Sequence, residues 1–155
     1  MYVFDNSPLS ALFRNYYRRR FPTLWRNFDA LVADGNVLST REAFREIEGG
    51  SLQELREWAR NNHAIFSTPT ADEGAFVTRI YGVRHFQQNL EQQKLLKGGL
   101  NADPFVIARA AIEGGTVVTM ERFKDNGAKI PNICRHFDVP CMTLEEFMEA
   151  EGWEF

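Results

Sequence analysis

Cysteine is scarce in this chain, with Cys134 and Cys141 the only two in 155 residues. Two cysteines cannot staple a disulfide scaffold, and they fit a reducing compartment. No apolar run reaches the ~18 residues that a membrane-spanning helix requires. The N-terminus also lacks the charged-then-apolar order of a secretion signal. A cytoplasmic protein with no membrane partner is therefore expected. Positive charge is not in excess either. A net charge of −3 argues against a non-specific nucleic-acid coat, although a local basic patch remains compatible with it. Neither G-x-G-x-x-G nor a P-loop occurs, which removes nucleotide-cofactor readings. Cys134, His136 and Cys141 lack the paired spacing of a structural zinc site, so both cysteines are expected as buried small hydrophobes. His63 and His85 have no nucleophile partner and are expected on helix surfaces or satisfied in the core.

What is present is an ordinary globular balance, 44% hydrophobic and 25% charged residues. That suffices for a real core, and one domain over 1–155 is expected. Tyr2-Val3-Phe4 followed by Asp5 reads as a short buried strand that ends as a carboxylate emerges. Ser7-Pro8 then opens a helix, with Ser7 as N-cap and Pro8 at the first helical position. Pro22 divides the apolar periodicity of 8–34 into two helices. A short strand is expected over 36–40, a helix begins at Thr40, and another amphipathic helix covers 51–62. The pattern over 73–97 predicts one long helix with Gly82 as its weak point. Within it, the polar run 87–93 reads as a solvated face. The Gly98-Gly99 pair then breaks the chain. Asp103-Pro104 opens a strongly apolar helix ended by Gly114-Gly115. Thr116-Val117-Val118-Thr119 is the clearest strand signal. A short helix over 131–137, a short strand over 139–142 and a capping box at Thr143-Leu144-Glu145-Glu146 complete the chain. Helices alternating with short strands predict an α/β fold, a three-layer α/β/α sandwich on a mainly parallel four- or five-stranded sheet.

Acids follow the carboxyl ends of three of these strands. Asp5 ends the first. Glu42 and Glu46, four apart and on one helix face, follow the second. Glu121 follows the third, and Asp103 opens a helix. In a parallel sheet these side chains converge on one edge. Clustered carboxylates repel unless a cation offsets them, and all-oxygen ligands select Mg²⁺ or Mn²⁺ over zinc. For Asp5 the bland alternative is a helix cap.

These residues resemble the PIN domain nucleases. That family opens with an apolar strand ending in Asp and a small or polar pair, as in Asp5-Asn6-Ser7. Its second acid lies in the helix after the second strand, as in Glu46-Ile47-Glu48-Gly49-Gly50, with Glu42 as the reserve. Its third motif is Asp before an alanine-rich helix, then Gly, a strand ending in Val-Thr, and an acid. Asp103 to Ala110, Gly115, Val117-Val118-Thr119 and Glu121 follow that order. The chain departs from the family in having Asn6 where Thr or Ser is usual, and Glu121 where Asp is usual, with Asp125 as a nearby substitute. Residues 51–100 look like a helical insertion longer than in compact PIN toxins, and the C-terminal stretch resembles a bacterial PIN-like subfamily. The resemblance implies a Mg²⁺- or Mn²⁺-dependent endoribonuclease, the toxin of a type II toxin–antitoxin pair. RNA would be its substrate, an antitoxin protein its partner, and a homodimer one assembly open to it. It further implies that Asp5, Glu46, Asp103 and Glu121 hold the metal and that Asn6, Arg45, Thr119 and Arg122 contact substrate.

Competing readings are weaker on the residues. Arg14, Arg18, Arg19, Arg20 and Arg26, interleaved with Tyr16, Tyr17, Phe21 and Trp25, could form an RNA surface. The aromatics are expected instead to face the core, leaving the arginines to solvent or an acidic partner. A phosphatase using Asp5 as nucleophile would want an acid where Ser7 stands, and a phosphoacceptor domain would want a deeper strand. The alternative of another class is a catalytically inactive PIN-like module that binds RNA or protein.

Overall fold

The computed structural model describes residues 1–96, 98 and 100–155. Its organising layer is a sheet of four short parallel strands: β1 (Tyr2–Phe4), β2 (Val37–Leu38), β3 (Thr116–Val118) and β4 (Cys141–Met142), in the order β2-β1-β3-β4. The register sets Tyr2 beside both Val37 and Thr116, and Phe4 beside Val118. Alternate strand residues point to opposite faces, so one three-residue strand serves two cores. Val3 and Val117 enter one cluster, Phe4 and Val118 the other.

The Phe4 face is covered by α1 (Asn6–Asn15), α2 (Pro22–Ala33), α4 (Gln53–Asn61) and α9 (Leu144–Ala150). Phe4 meets Phe28 and Phe147 edge-on at 5.6 and 5.1 Å, the geometry that aromatic quadrupoles favour. The Val3 face is covered by α5 (Ala71–Gly82), α7 (Asp103–Glu113) and α8 (Ile130–His136). Between the layers lies α3 (Arg41–Glu48), which gives Ala43 to one core and Ile47 to the other. Thr40 caps it, its hydroxyl oxygen accepting from the Ala43 N–H at 3.1 Å. The α/β/α sandwich expected from the sequence is thus the observed architecture.

The long helix expected over 73–97 is two. The chain leaves α5 at Gly82, passes through a 3₁₀ turn (Arg84–Phe86) and resumes as α6 (Gln87–Leu96). Phe86 plugs the break, buried in the second core, so apolar burial outweighs helical continuity there. The expected helix end at Lys97 and the Gly99 half of the glycine break lie outside the described residues. At the end of α7, Gly114 adopts φ +72°, the left-handed C-terminal turn that glycine adopts without a Cβ penalty. Of the four aromatics expected to face the core, Trp25 is buried and Tyr16 and Phe21 are half-buried, but Tyr17 is exposed. Arg18 stacks 4.2 Å from the Trp25 ring and pairs with Asp29 at 2.8 Å. Cys134 is buried as expected, but Cys141 is only half-buried, because β4 is an edge strand.

A buried ion pair unread in the sequence ties the helical layer to the sheet. The Arg109 guanidinium donates to Glu73 at 2.9 and 3.3 Å, to the Ser39 carbonyl at 2.9 Å, and to Ser67 and Thr68. Ser39 in turn donates to the Phe4 carbonyl at 2.7 Å. Arg109→Met should lower unfolding stability by about 3–5 kcal/mol, because it leaves Glu73 charged and buried without its partner. Urea denaturation of wild type and variant measures this, and a loss under about 1 kcal/mol would show that water reaches Glu73.

Candidate metal centre

The sheet order creates one crevice. From β1 the chain crosses outward to β2, whereas from β3 it crosses outward to β4 on the other side. Adjacent parallel strands whose connections diverge leave a gap beyond their carboxyl ends, and ligand sites of open α/β sheets lie there. Asp5 and Thr119 are the first residues past β1 and β3. The Asp5 N–H still donates to the Val118 carbonyl at 3.0 Å, so the backbone fixes where its side chain starts.

Asp5 occupies the N-cap position of α1, yet its carboxylate makes no capping hydrogen bond. The helix begins at Asn6, so the N-cap is Asp5 and not Ser7 as the sequence suggested. Ser7 faces back instead, donating to Asp5 Oδ2 at 3.0 Å and accepting from the Met120 N–H at 3.1 Å. The Thr119 hydroxyl donates to the same Oδ2 at 3.2 Å and accepts from the Glu121 N–H at 3.2 Å. Asp5 Oδ1 is buried with no hydrogen-bond partner among the described residues.

Asp103 arrives from a different layer, as the first residue of α7, and is fully buried. Its Oδ2 accepts from Asn89 Nδ2 at 2.9 Å and Gln93 Nε2 at 3.2 Å. Asn89 is itself fixed: its Oδ1 accepts from the Tyr81 hydroxyl and from Asn101 Nδ2, each at 3.2 Å. Burial, reinforced by the negative charge of Asp103, pushes the Tyr81 phenol up to about 12, so it remains a donor at neutral pH. Glu121 comes from the loop after β3, and its Oε2 accepts from the Ile130 N–H at 2.9 Å.

One carboxylate oxygen from each of Asp5, Asp103 and Glu121 lies within 4.8 Å of the other two. This group could hold a metal ion. Its donors are hard oxygens from three separate elements, the chemistry that suits Mg²⁺, Mn²⁺ or Ca²⁺. The buried, unpartnered Asp5 Oδ1 fits the same reading, since such an oxygen costs free energy unless a donor or cation meets it.

The chain belongs to the DUF4411 family.

That family is described as a domain of unknown function, and the match runs over residues 2–155. No curated protein matches the chain in sequence. In this DUF4411 chain the remaining expected site residues divide around the cluster. Glu46 is buried on α3 beside the three acids' elements but outside the group of three. Its Oε2 accepts from the Ala102 N–H at 2.9 Å, one residue before Asp103, and so anchors the start of α7. Glu42 lies a turn earlier and pairs with Arg41 at 2.8 Å. Thr119 is fully buried with its hydroxyl on Asp5, which makes it a support for that carboxylate. Asn6 lines a small cleft with Glu46, Gly49 and Leu100. Arg45 is exposed on α3, Arg122 is exposed beside Glu121, and Asp125 is exposed in a turn of the following loop.

Sequence reading missed Asn89 and Gln93. The run 87–93, read as a solvated face, buries both amides against Asp103. The signal that could have found them is their spacing of four, which puts two amides on one helix face among otherwise similar polar residues. Asn89→Leu removes the 2.9 Å donor to Asp103 and should weaken Mn²⁺ binding by about 10–100-fold, the usual effect of losing a group that orients a ligand. Titration calorimetry with Mn²⁺ reads this directly, and unchanged affinity would mean the amides only fill space.

Proposed function

We propose that this protein is a Mg²⁺- or Mn²⁺-dependent endoribonuclease that hydrolyses RNA phosphodiester bonds, with a PIN-like arrangement of acids. One observation carries the reading: Asp5, Asp103 and Glu121 approach within 4.8 Å in the crevice between β1 and β3. Divalent cations at carboxylate sites act as Lewis acids on phosphodiesters and lower the pKa of water. Asp5, Asp103 and Glu121 would hold the cation. Ser7 and Thr119 both hold Asp5 Oδ2, which leaves the buried Oδ1 available for a cation, while the Asn89 and Gln93 amides stabilise ionised Asp103 and fix its plane. Glu46 contributes a fourth negative charge at the start of α7. Asn6, next to Asp5, Arg45, next to Glu46, and Arg122, next to Glu121, would contact the RNA backbone, where arginine pairs with phosphate oxygens. The resemblance to toxin-type PIN ribonucleases extends the proposal to a cytoplasmic toxin held in check by an antitoxin protein.

Wild type should cleave unstructured RNA in Mg²⁺ or Mn²⁺ and stop in EDTA. Ca²⁺, with its looser geometry, should support little turnover. Asp5→Asn should lower the single-turnover rate by about 100-fold or more, in the range of losing one preorganised electrostatic group. It should also weaken Mn²⁺ binding, while thermal unfolding in EDTA stays unchanged. A wild type that binds RNA without cutting it in any of these cations would leave a PIN-like binding module.

The two helix glutamates separate by charge. Glu46→Gln keeps an acceptor for the Ala102 N–H but loses its charge, so cleavage should fall; Glu42→Gln should cleave nearly as wild type. Comparable rates for Glu46→Gln and wild type would reduce Glu46 to an anchor of α7.

A further inference from the structure

Beside the acid cluster lies a second concavity that the reading above leaves without a task. A groove of about 580 Å³ runs between the loop after β3, α8 and the β4–α9 junction. That size is within the ~300–1,000 Å³ of small-molecule sites. Glu121 belongs to both, being one of the three clustered acids and part of the groove wall. The groove therefore shares a side chain with the place where a scissile phosphate would lie.

Its walls carry one aromatic ring and two guanidinium groups. Phe123 keeps 44% of its surface exposed, unusual for a ring that could have entered either core. Arg135 holds its guanidinium 4.7 Å from the Phe123 ring centre, and Arg122 lies between Phe123 and Glu121 in the chain. The guanidinium lies over the ring, so the two form a stacked platform that any base can extend, and arginine also pairs with phosphate. Glu146, the other acid of the wall, is engaged by the Thr143 N–H and hydroxyl at the start of α9.

We propose that this groove receives one unpaired nucleotide of the RNA, next to the bond that is cut. The base lies on the Phe123–Arg135 platform and the backbone phosphate pairs with Arg122. Specificity for single-stranded RNA follows, because a base held in a duplex stack cannot reach the platform. The proposal deepens the nuclease reading and rests on it for the position of the scissile phosphate.

The test is fluorescence anisotropy of a labelled hexauridylate and of a blunt RNA duplex, both in Ca²⁺, alongside hexamer cleavage in Mg²⁺. Wild type should prefer the hexamer. Phe123→Ala should weaken hexamer binding about tenfold, as expected for losing ~1–3 kcal/mol of stacking on one base. Phe123→Tyr should restore it, and Mn²⁺ affinity should not change in either variant. The proposal is overturned if Phe123→Ala binds the hexamer as wild type does, if wild type prefers the duplex, or if wild type does not bind the hexamer. Phe123-dependent binding without cleavage in Mg²⁺ would keep the groove and discard the nuclease reading. Normal cleavage and binding by Phe123→Ala would do the reverse.

Discussion

Like charges within 4.8 Å of one another repel strongly, and the protein holds three carboxylates at that separation. Everything near the crevice can be understood as the means of doing so. Two hydroxyls fix Asp5, two amides fix Asp103, and a backbone N–H fixes Glu121. Neutral donors lower the energy of each ionised carboxylate while leaving the cluster's negative charge in place. That charge is what a metal ion held there would offset. An unpartnered buried oxygen on Asp5 marks where the requirement is not met from within.

Holding the acids requires that their parent elements not move. The strands are only two or three residues long, so their ladder contributes few hydrogen bonds and the fixity comes from burial on both faces. Phe4 packs into one core and Val3 into the other, which leaves β1 no freedom to slide and carries Asp5 to a defined height. Arg109 adds a polar lock, joining α7 to α5 and to the residue after β2. The same helix that carries Asp103 at its first residue is thus pinned near its middle. Glu46 pins the residue before Asp103. Stability and the candidate site draw on one set of contacts.

Much of this was legible residue by residue. The β-branched run at 116–118, the apolar run before Asp5 and the capping box at Thr143 each specify a local structure through steric preference or a short-range hydrogen bond. Acids at the ends or starts of such elements inherit their position, which is why the sequence gathers Asp5, Asp103 and Glu121, together with Glu46, which lies outside the group of three. The neighbourhood of Asp103 was not legible. Asn89 and Gln93 sit in a run of amides whose other members face solvent, and their spacing of four is shared by the exposed pair Gln88 and Gln92. Ser7 was misread for a related reason: its sequence suits an N-cap, but Asp5 already held that position and a hydroxyl facing Met120 satisfied a further N–H.

The sequence alone determined the alternation of strands and helices, the parallel α/β class and the acids at the strand ends, because these follow from periodicity, caps and turn residues within a few positions of one another. Only the tertiary structure decided that β1 lies between β2 and β3, that the long polar helix breaks at Gly82 and folds its amides onto Asp103, that Glu46 anchors α7 from outside the group of three, and that Arg109 finds Glu73. Those outcomes depend on which apolar faces meet and on where buried polar groups find partners. Both are settled between residues far apart in the chain, where local preference carries no information.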